Sequence, residues 1–370
     1  MLRRNNAALL VFLLTTLLLA NAQTGGTPST LTPSSNQTAA QTSSQPASSQ
    51  APASAPQAAA IAAHSTSTQA APPASGQTAP QNPDSSDSGV FVFRKEVDEV
   101  VLHATVVDNK QHIVTNLEKN NFSVFEDGHP QTITSFRHED IPVAMCIVVD
   151  NSGSMREKRQ KVNQAAINLV RASNPNDEVC IVNFNDEYYL DQDFTSSINK
   201  LKEGLEKIET RGGTALYDAV VATADHLKDS AKLEKKVLFV VTDGDDNESS
   251  ETLEQAVRRL QIENGPTVYA IGILEGEEHV RRARRALQVM CEKTGGIAFL
   301  PKTLDEVDAI SRTVAHDIRS QYTIGYKPTN PRSEGGYRSV KVDAHSGRDK
   351  LTVRTKSGYY AGLEPSSGAQ

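Results

Sequence analysis

The sequence predicts an α/β fold, a doubly wound and mostly parallel sheet with helices on both faces, set between two short β-rich flanks. Three observations predict it. Between residues 141 and 320, apolar runs of strand type alternate with segments of helical period. The strongest of those runs are apolar almost throughout, as strands covered on both faces are. Short turn-bounded apolar runs precede and follow this stretch, at 100–136 and 321–355.

The elements follow in chain order. Arg3 and Arg4 precede an apolar run from Ala7 to Ala20 that ends in Ala20-Asn21-Ala22. A positive start, an apolar stretch too short for a comfortable membrane span and a small-x-small site read as a secretory signal peptide over residues 1–22. An uncleaved amino-terminal anchor is the alternative, and nothing later is apolar enough to cross a bilayer. No Cys follows the run, which argues against a lipid anchor. Residues 23–89 are rich in Ser, Thr, Ala, Pro and Gln, with no Lys, Arg, Asp or Glu before Asp84. Such a segment cannot bury enough apolar surface to offset its conformational entropy and is expected to be a disordered tether. The 370 residues are 38% hydrophobic and 5% aromatic with no Trp, lean values that fit a chain of which part never packs.

The amino-terminal β segment, 90–140, holds the runs Val100–Val107, Phe122–Phe125 and Gln131–Phe136, parted by the turn signals Asp108-Asn109 and Asp127-Gly128. The α/β stretch, 141–320, opens with the apolar run Val143–Val149. A helix follows with Val162, Ala165, Ala166, Leu169 and Val170 on one face, stopped by Asn174-Pro175. Strands are expected at 178–184 and, as a polar edge, at 188–194, then a helix marked by Ile198, Leu201, Leu205 and Ile208. Val237-Leu238-Phe239-Val240-Val241 is the strongest strand signal in the chain. A helix with Leu253, Val257 and Leu260 inward, a strand at 267–273, a helix with Val280, Ala283, Leu287 and Met290 inward and a strand at 297–300 come next. The last helix is expected to open with the capping box Thr303-Leu304-Asp305-Glu306 and to bury Val307, Ile310, Val314 and Ile318. The carboxyl-terminal β segment, 321–362, carries runs at 321–326, 337–344 and 351–355, and 363–370 reads as a disordered tail. Neither β end has strands enough for a core of its own. They are expected to join in one small β-sandwich beside the first strand and last helix of the α/β part, with separate packing of each end as the alternative.

In sheets of this Rossmann-like kind, ligands bind beyond the carboxyl ends of the strands, where strand order reverses. Two carboxylates stand at that address, Asp150 after the first strand and Asp243 after the strongest one. Asp150-Asn151-Ser152-Gly153-Ser154 places one carboxylate and two hydroxyls in a tight turn, with Gly153 expected to let the backbone close. Gly212-Gly213-Thr214 presents a third hydroxyl just before the helix that carries Asp218, and Thr242-Asp243-Gly244 supplies the second carboxylate. All five groups are hard oxygen donors, which suits Mg²⁺, Mn²⁺ or Ca²⁺ and disfavours zinc and copper, and Mg²⁺ is the first expectation. Two carboxylates about 5 Å apart at an effective dielectric near 20 repel by about 3 kcal/mol, so a cation between them is expected.

In this order on this alternation, Asp150-Asn151-Ser152-Gly153-Ser154, Gly213-Thr214 and Thr242-Asp243-Gly244 resemble the metal-ion-dependent adhesion site of von Willebrand factor type A domains. The resemblance implies that Asp150, Ser152, Ser154 and Thr214 contact one divalent ion and that Asp243 does so directly or through water. It also implies that one coordination position accepts an Asp or Glu carboxylate of a protein partner. The flanking runs, with Asn121–Gly128 and Lys356-Ser357-Gly358-Tyr359-Tyr360, resemble the von Willebrand factor A-related proteins exported by some soil bacteria.

The remaining features carry plainer readings. Asp218, Asp245 and Asp246 are candidates for an outer shell or acidic rim, and Asp245, Asp246 and Glu248 read first as a solvated loop, with a second ion as the alternative. Arg281, Arg282, Arg284 and Arg285 read as a solvated helix face, with Glu277 and Glu278 at ion-pair spacing. The nine histidines show no metal spacing. Cys146, Cys180 and Cys291 lie in apolar stretches and read as small buried hydrophobes, with a Cys146–Cys180 bridge left open because their strands can be neighbours. The net charge of −7 offers no basic surface for nucleic acid or an anionic membrane. The chain has no Gly-x-Ser-x-Gly elbow, His-Glu-x-x-His or P-loop. An Mg²⁺-dependent phosphotransfer with Asp150 as nucleophile lacks its acid/base, since Ser152 stands where a second Asp is needed.

The expectation is therefore an exported, periplasmic or extracellular, non-enzymatic module that binds a protein partner through a cation, with no membrane insertion after signal cleavage. A structural or assembly subunit whose metal has a structural role only is the second reading.

Overall fold

The computed structural model describes residues 99–362 apart from 208, 275–277 and 348–349. The signal peptide read over 1–22, the tether over 23–89 and the tail over 363–370 lie outside the described residues, as do Ile208 and Glu277. The first strands are β1 (Val100–Val107), β2 (Phe122–Glu126), β3 (His129–Gln131) and β4 (Ile133–Arg137). The α/β part runs β5 (Val143–Asp150), α1 (Arg159–Ala172), β6 (Glu178–Phe184), β7 (Tyr188–Thr195), α2 (Ile198–Glu206) and α3 (Leu216–Ser230). It continues with β8 (Lys235–Thr242), α4 (Leu253–Leu260), β9 (Thr267–Gly272), α5 (Glu278–Thr294), β10 (Ala298–Phe299) and α6 (Val307–Arg319). The chain ends in β11 (Tyr322–Tyr326), β12 (Gly336–Ala344), β13 (Thr352–Arg354) and β14 (Gly358–Ala361).

Six strands form the central sheet in the order β10-β9-β8-β5-β6-β7. All are parallel except the edge strand β7, which pairs antiparallel with β6. Alternation along β5 explains both cores. Met145, Ile147 and Val149 face α1, α2 and α6 through Val162, Leu169, Leu201, Val314 and Ile318. Ala144, Cys146 and Val148 face α3, α4 and α5 through Ala219, Ala224, Leu260, Leu287 and Met290. Every residue of β5 is buried, as its unbroken apolar run requires. Strand order reverses at β5, which lies between β6 and β8, so the loops after β5 and β8 share one rim.

Cys146 and Cys180 stand directly opposite each other on β5 and β6 and form a disulfide, so the reading of both as free hydrophobes is corrected. Register is the reason: both side chains point to the same sheet face and are fully buried there. A bridge closing a 34-residue separation stabilises by about 3–4 kcal/mol in the chain-entropy account. Cys291 stays free and buried, and burial pushes its thiol well above the usual range.

The two ends meet in one sandwich of two four-stranded sheets, β13-β1-β11-β4 and β14-β12-β2-β3. Each sheet draws strands from both ends of the chain: β1 pairs with β11 and β13, and β2 with β12. Leu102, Ala104, Val106, Phe122 and Val124 share a core with Tyr322, Ile324, Val342 and Tyr359. β14 was not read as a strand from the sequence. Inside this core Glu126 accepts hydrogen bonds from Tyr326 Oη at 2.5 Å, Tyr359 Oη at 2.8 Å and Arg338 Nη1 at 3.3 Å. Its single charge is thus paired and its oxygens satisfied, as a buried carboxylate requires.

The sandwich is joined to the α/β part beside α6 and at the carboxyl ends of α4 and α5. Asp317 accepts from Tyr269 Oη at 2.8 Å and from Arg354 Nη2 at 2.9 Å. Gln261 Nε2 donates to the carbonyls of Lys293 and Gly358, each at 3.2 Å, and the Tyr360 amide donates to the Gln261 carbonyl at 2.8 Å. The capping box expected at Thr303 is absent. Its hydroxyl makes no cap bond, and a 3₁₀ turn over Leu304–Glu306 leads into α6 through a backbone bond from Glu306 to Thr303. That turn bonds the Glu306 and Val307 amides through the backbone, without the side chain. No helix of the described residues is long and apolar enough to cross a membrane.

Candidate metal centre

The last residue of β5, Asp150, is fully buried, and its two carboxylate oxygens have separate partners. Oδ1 accepts from the Ser152 amide at 2.7 Å and Oδ2 from the Thr242 hydroxyl at 2.5 Å. The loop that follows is pinned on both sides. Asn151 donates from its amide to the Phe184 carbonyl at 2.6 Å and from Nδ2 to Asn183 Oδ1 at 2.8 Å, while its carbonyl accepts from the Arg211 amide at 2.9 Å. The Gly153 amide donates to the Gly212 carbonyl at 3.2 Å, which brings the 212–214 loop against the turn.

Ser152 Oγ and Ser154 Oγ lie 3.1 Å apart, and Ser154 Oγ donates to Asp243 Oδ1 at 2.8 Å. Thr214 is held by Asn247, whose Oδ1 accepts from the Thr214 amide at 2.9 Å and whose amide donates back to the Thr214 carbonyl at 3.0 Å. A methyl group at Gly244 would stand 3.4 Å from Thr214 Oγ1, so this hydroxyl borders the Asp243 loop. The rim thus gathers Asp150, Ser152, Ser154, Thr214 and Asp243. All but Ser154, which is exposed, are buried.

The glycine that the geometry requires is Gly212 rather than Gly153. Gly212 has φ +70, and a side chain there would collide with the Asp186 carboxylate, whereas a methyl at Gly153 would meet only ordinary contact at 3.8 Å. Asp186 Oδ1 in turn accepts from the Gly213 amide at 2.5 Å.

The candidates for an outer shell have other partners. Asp218 accepts from the Ser250 and Glu251 amides, and Asp246 from the Tyr217 amide and the Ser249 hydroxyl, so both clamp the loop after β8 to the start of α3. Asp245 Oδ2 pairs with Arg282 Nε at 2.7 Å, which ties one residue of the arginine-rich face of α5 to the rim. Among the described residues no three His, Cys, Asp or Glu side chains converge on a common point.

Sequence reasoning missed Lys158. Its Nζ lies 2.7 Å from Asp243 Oδ2, and both side chains are largely buried. The repulsion argument for a cation overlooked this ammonium. Arg159, also buried, donates from Nη2 to the Leu205 carbonyl at 2.5 Å, and burial pulls its guanidinium down to about 10 against the attraction of Asp150 and Asp191. The signal for these two residues was a pair of cations at a helix start, a place the helix dipole disfavours.

Burial pushes the Asp150 carboxyl up to about 6, against the hydrogen bonds from Thr242 and Ser152, and Asp243 adds the smallest contribution. The metal-free fold therefore holds this proton more tightly than the unfolded chain does. Its stability falls as pH rises from about 4 to about 6, and the deficit persists above. Asp150→Asn is expected to remove that slope and to raise the metal-free stability at pH 7 by about 2–3 kcal/mol. Urea unfolding in chelator at pH 4.5 and 7 checks both.

Residues 145–245 match the family profile of the von Willebrand factor type A domain. No curated protein matches the sequence. Among solved structures, a von Willebrand factor type A protein from Catenulispora acidiphila is similar over 73% of this chain and 74% of its own, at 14% identity and TM-score 0.40. An aerotolerance-related membrane protein from Bacteroides fragilis is similar over 48% of this chain and 98% of its own, at 19% identity and TM-score 0.40. The vWF domain of the type V pili tip protein Mfa5 from Porphyromonas gingivalis is similar over 48% and 97%, at 12% identity and TM-score 0.39. Within the α/β part, residues 145–245 are thus similar to the von Willebrand factor type A domain.

Proposed function

We propose that this protein is an exported, non-enzymatic module that binds a protein partner through one divalent cation held at the rim of the central sheet. One observation carries the reading: two carboxylates and three hydroxyls from three separate loops gather at the point where strand order reverses. The donors are oxygens only, the set that Mg²⁺, Ca²⁺ and Mn²⁺ take and that zinc and copper do not favour. Asp150, Ser152, Ser154 and Thr214 would hold the ion, proposed as Mg²⁺, with Asp243 doing so directly or through water. The ion would supply an electrophilic position for an acidic side chain of the partner. Exposure of Ser154 supports an open side through which that group arrives.

The experiment is capture from the native cell envelope by the immobilised full chain. A partner held in Mg²⁺, released by chelator and not captured by Asp150→Ala is the expected result. Capture that ignores both the chelator and the substitution would leave the rim without a role in binding.

A further inference from the structure

We infer that Lys158 is a tethered cation that neutralises the metal-free rim and competes with the divalent ion for Asp243; this rests on the cation-binding reading above. The Lys158 ammonium lies 2.7 Å from Asp243 Oδ2, with the lysine side chain 13% and the aspartate side chain 1% exposed. Ser154 Oγ fills the other oxygen at 2.8 Å. Asp243 thus has a partner on each carboxylate oxygen.

Lys158 stands at the start of α1, whose first turn holds no acidic residue, and Arg159 follows it directly. Cations at a helix amino terminus oppose the helix dipole. Asp243 offsets Lys158 directly, and Asp150 and Asp191 act on Arg159. A divalent ion entering beside the ammonium would be repelled by it, in a partly buried site where water screens weakly. Entry of the ion is therefore expected to draw Lys158 off Asp243. A lysine can leave, since its charge rides on a flexible four-carbon stem. Once released, the ammonium remains tethered at the rim, where it and the ion attract the same acidic group of a partner. Lys158 thereby weakens ion binding alone and links it to binding of the partner's carboxylate.

The test is calorimetric titration of the full chain with Mn²⁺, comparing wild type with Lys158→Met, which keeps the apolar stem and removes the charge. The expected result is a Kd for Mn²⁺ lower by about tenfold or more in the variant, the worth of one charged hydrogen bond. Equal or weaker binding by the variant overturns the role of Lys158 while the cation reading stands. Absence of binding by both proteins overturns the cation reading and this inference with it. A second measurement needs no variant. Acetylation of Lys158 by an amine-reactive ester, read by mass spectrometry, is expected to rise on saturation with Mn²⁺, and reactivity unchanged by the ion would contradict its displacement.

Discussion

Deleting residues beyond 320 is expected to strip amide-exchange protection from β1, β2 and β4 while the central sheet keeps its own. β1 would lose both of its partners, β11 and β13, and β2 would lose β12. What is left of the sandwich is the β2–β3 hairpin and two unpaired strands. A lone hairpin is marginal in water, so local stability across 100–137 should drop to about 0 kcal/mol. The central sheet has two cores of its own, built from α1, α2 and α6 on one face and α3, α4 and α5 on the other. Its exchange protection should persist in the same molecule, which makes that molecule its own control. Full protection of 100–137 in the truncated chain would mean that the amino-terminal segment folds by itself, and that the shared sandwich does not hold it.

The second large effect is expected at Arg338. Its side chain and that of Glu126 are 3% and 1% exposed, and the guanidinium also donates to the carbonyls of Asn330 at 2.9 Å and Pro331 at 2.6 Å. Arg338→Met keeps much of the volume but leaves Glu126 buried with two tyrosine hydroxyls and no positive charge. Removing one partner of a buried pair costs about 3–5 kcal/mol, far more than the pair is worth against an apolar replacement. Urea unfolding should show that loss. Adding Glu126→Leu to Arg338→Met should recover a large part of it, because the stranded charge goes with the second change. A single variant that loses under about 1 kcal/mol would show that Glu126 is not confined as the hydrogen bonds imply.

The parts of this fold that the sequence declares are those set by short-range pattern. Val143–Val149 and Val237–Val241 are apolar on both alternating faces, and a strand covered by helices on both sides is the arrangement that accepts that pattern. Asp150 and Asp243 follow those strands directly, so their meeting at one rim needed only that the two strands be neighbours. What the sequence hides depends on register and reach. The Cys146–Cys180 bridge requires the two residues to be level on adjacent strands, and spacing along the chain says nothing of that. β14 is four residues long and takes its place from pairing with β12, not from a period of its own. Lys158 stands at the start of α1, 85 residues from Asp243 in the chain, and only the fold turns its ammonium onto that carboxylate. Asp218 and Asp246 looked like rim carboxylates by position, yet unpaired loop amides claim them, a demand that composition cannot reveal.

The most direct measurement of the central claim is a calorimetric titration of the full chain with Mg²⁺ in metal-free buffer, beside Asp150→Ala. The expected result is one site per chain in the wild type and none in the variant. In parallel, Mg²⁺ at about a hundred times its Kd should stabilise the wild type by about 2.7 kcal/mol and the variant not at all. A wild type that takes up no Mg²⁺, Ca²⁺ or Mn²⁺ would contradict the account, because the five gathered oxygens would then serve only to hold their loops.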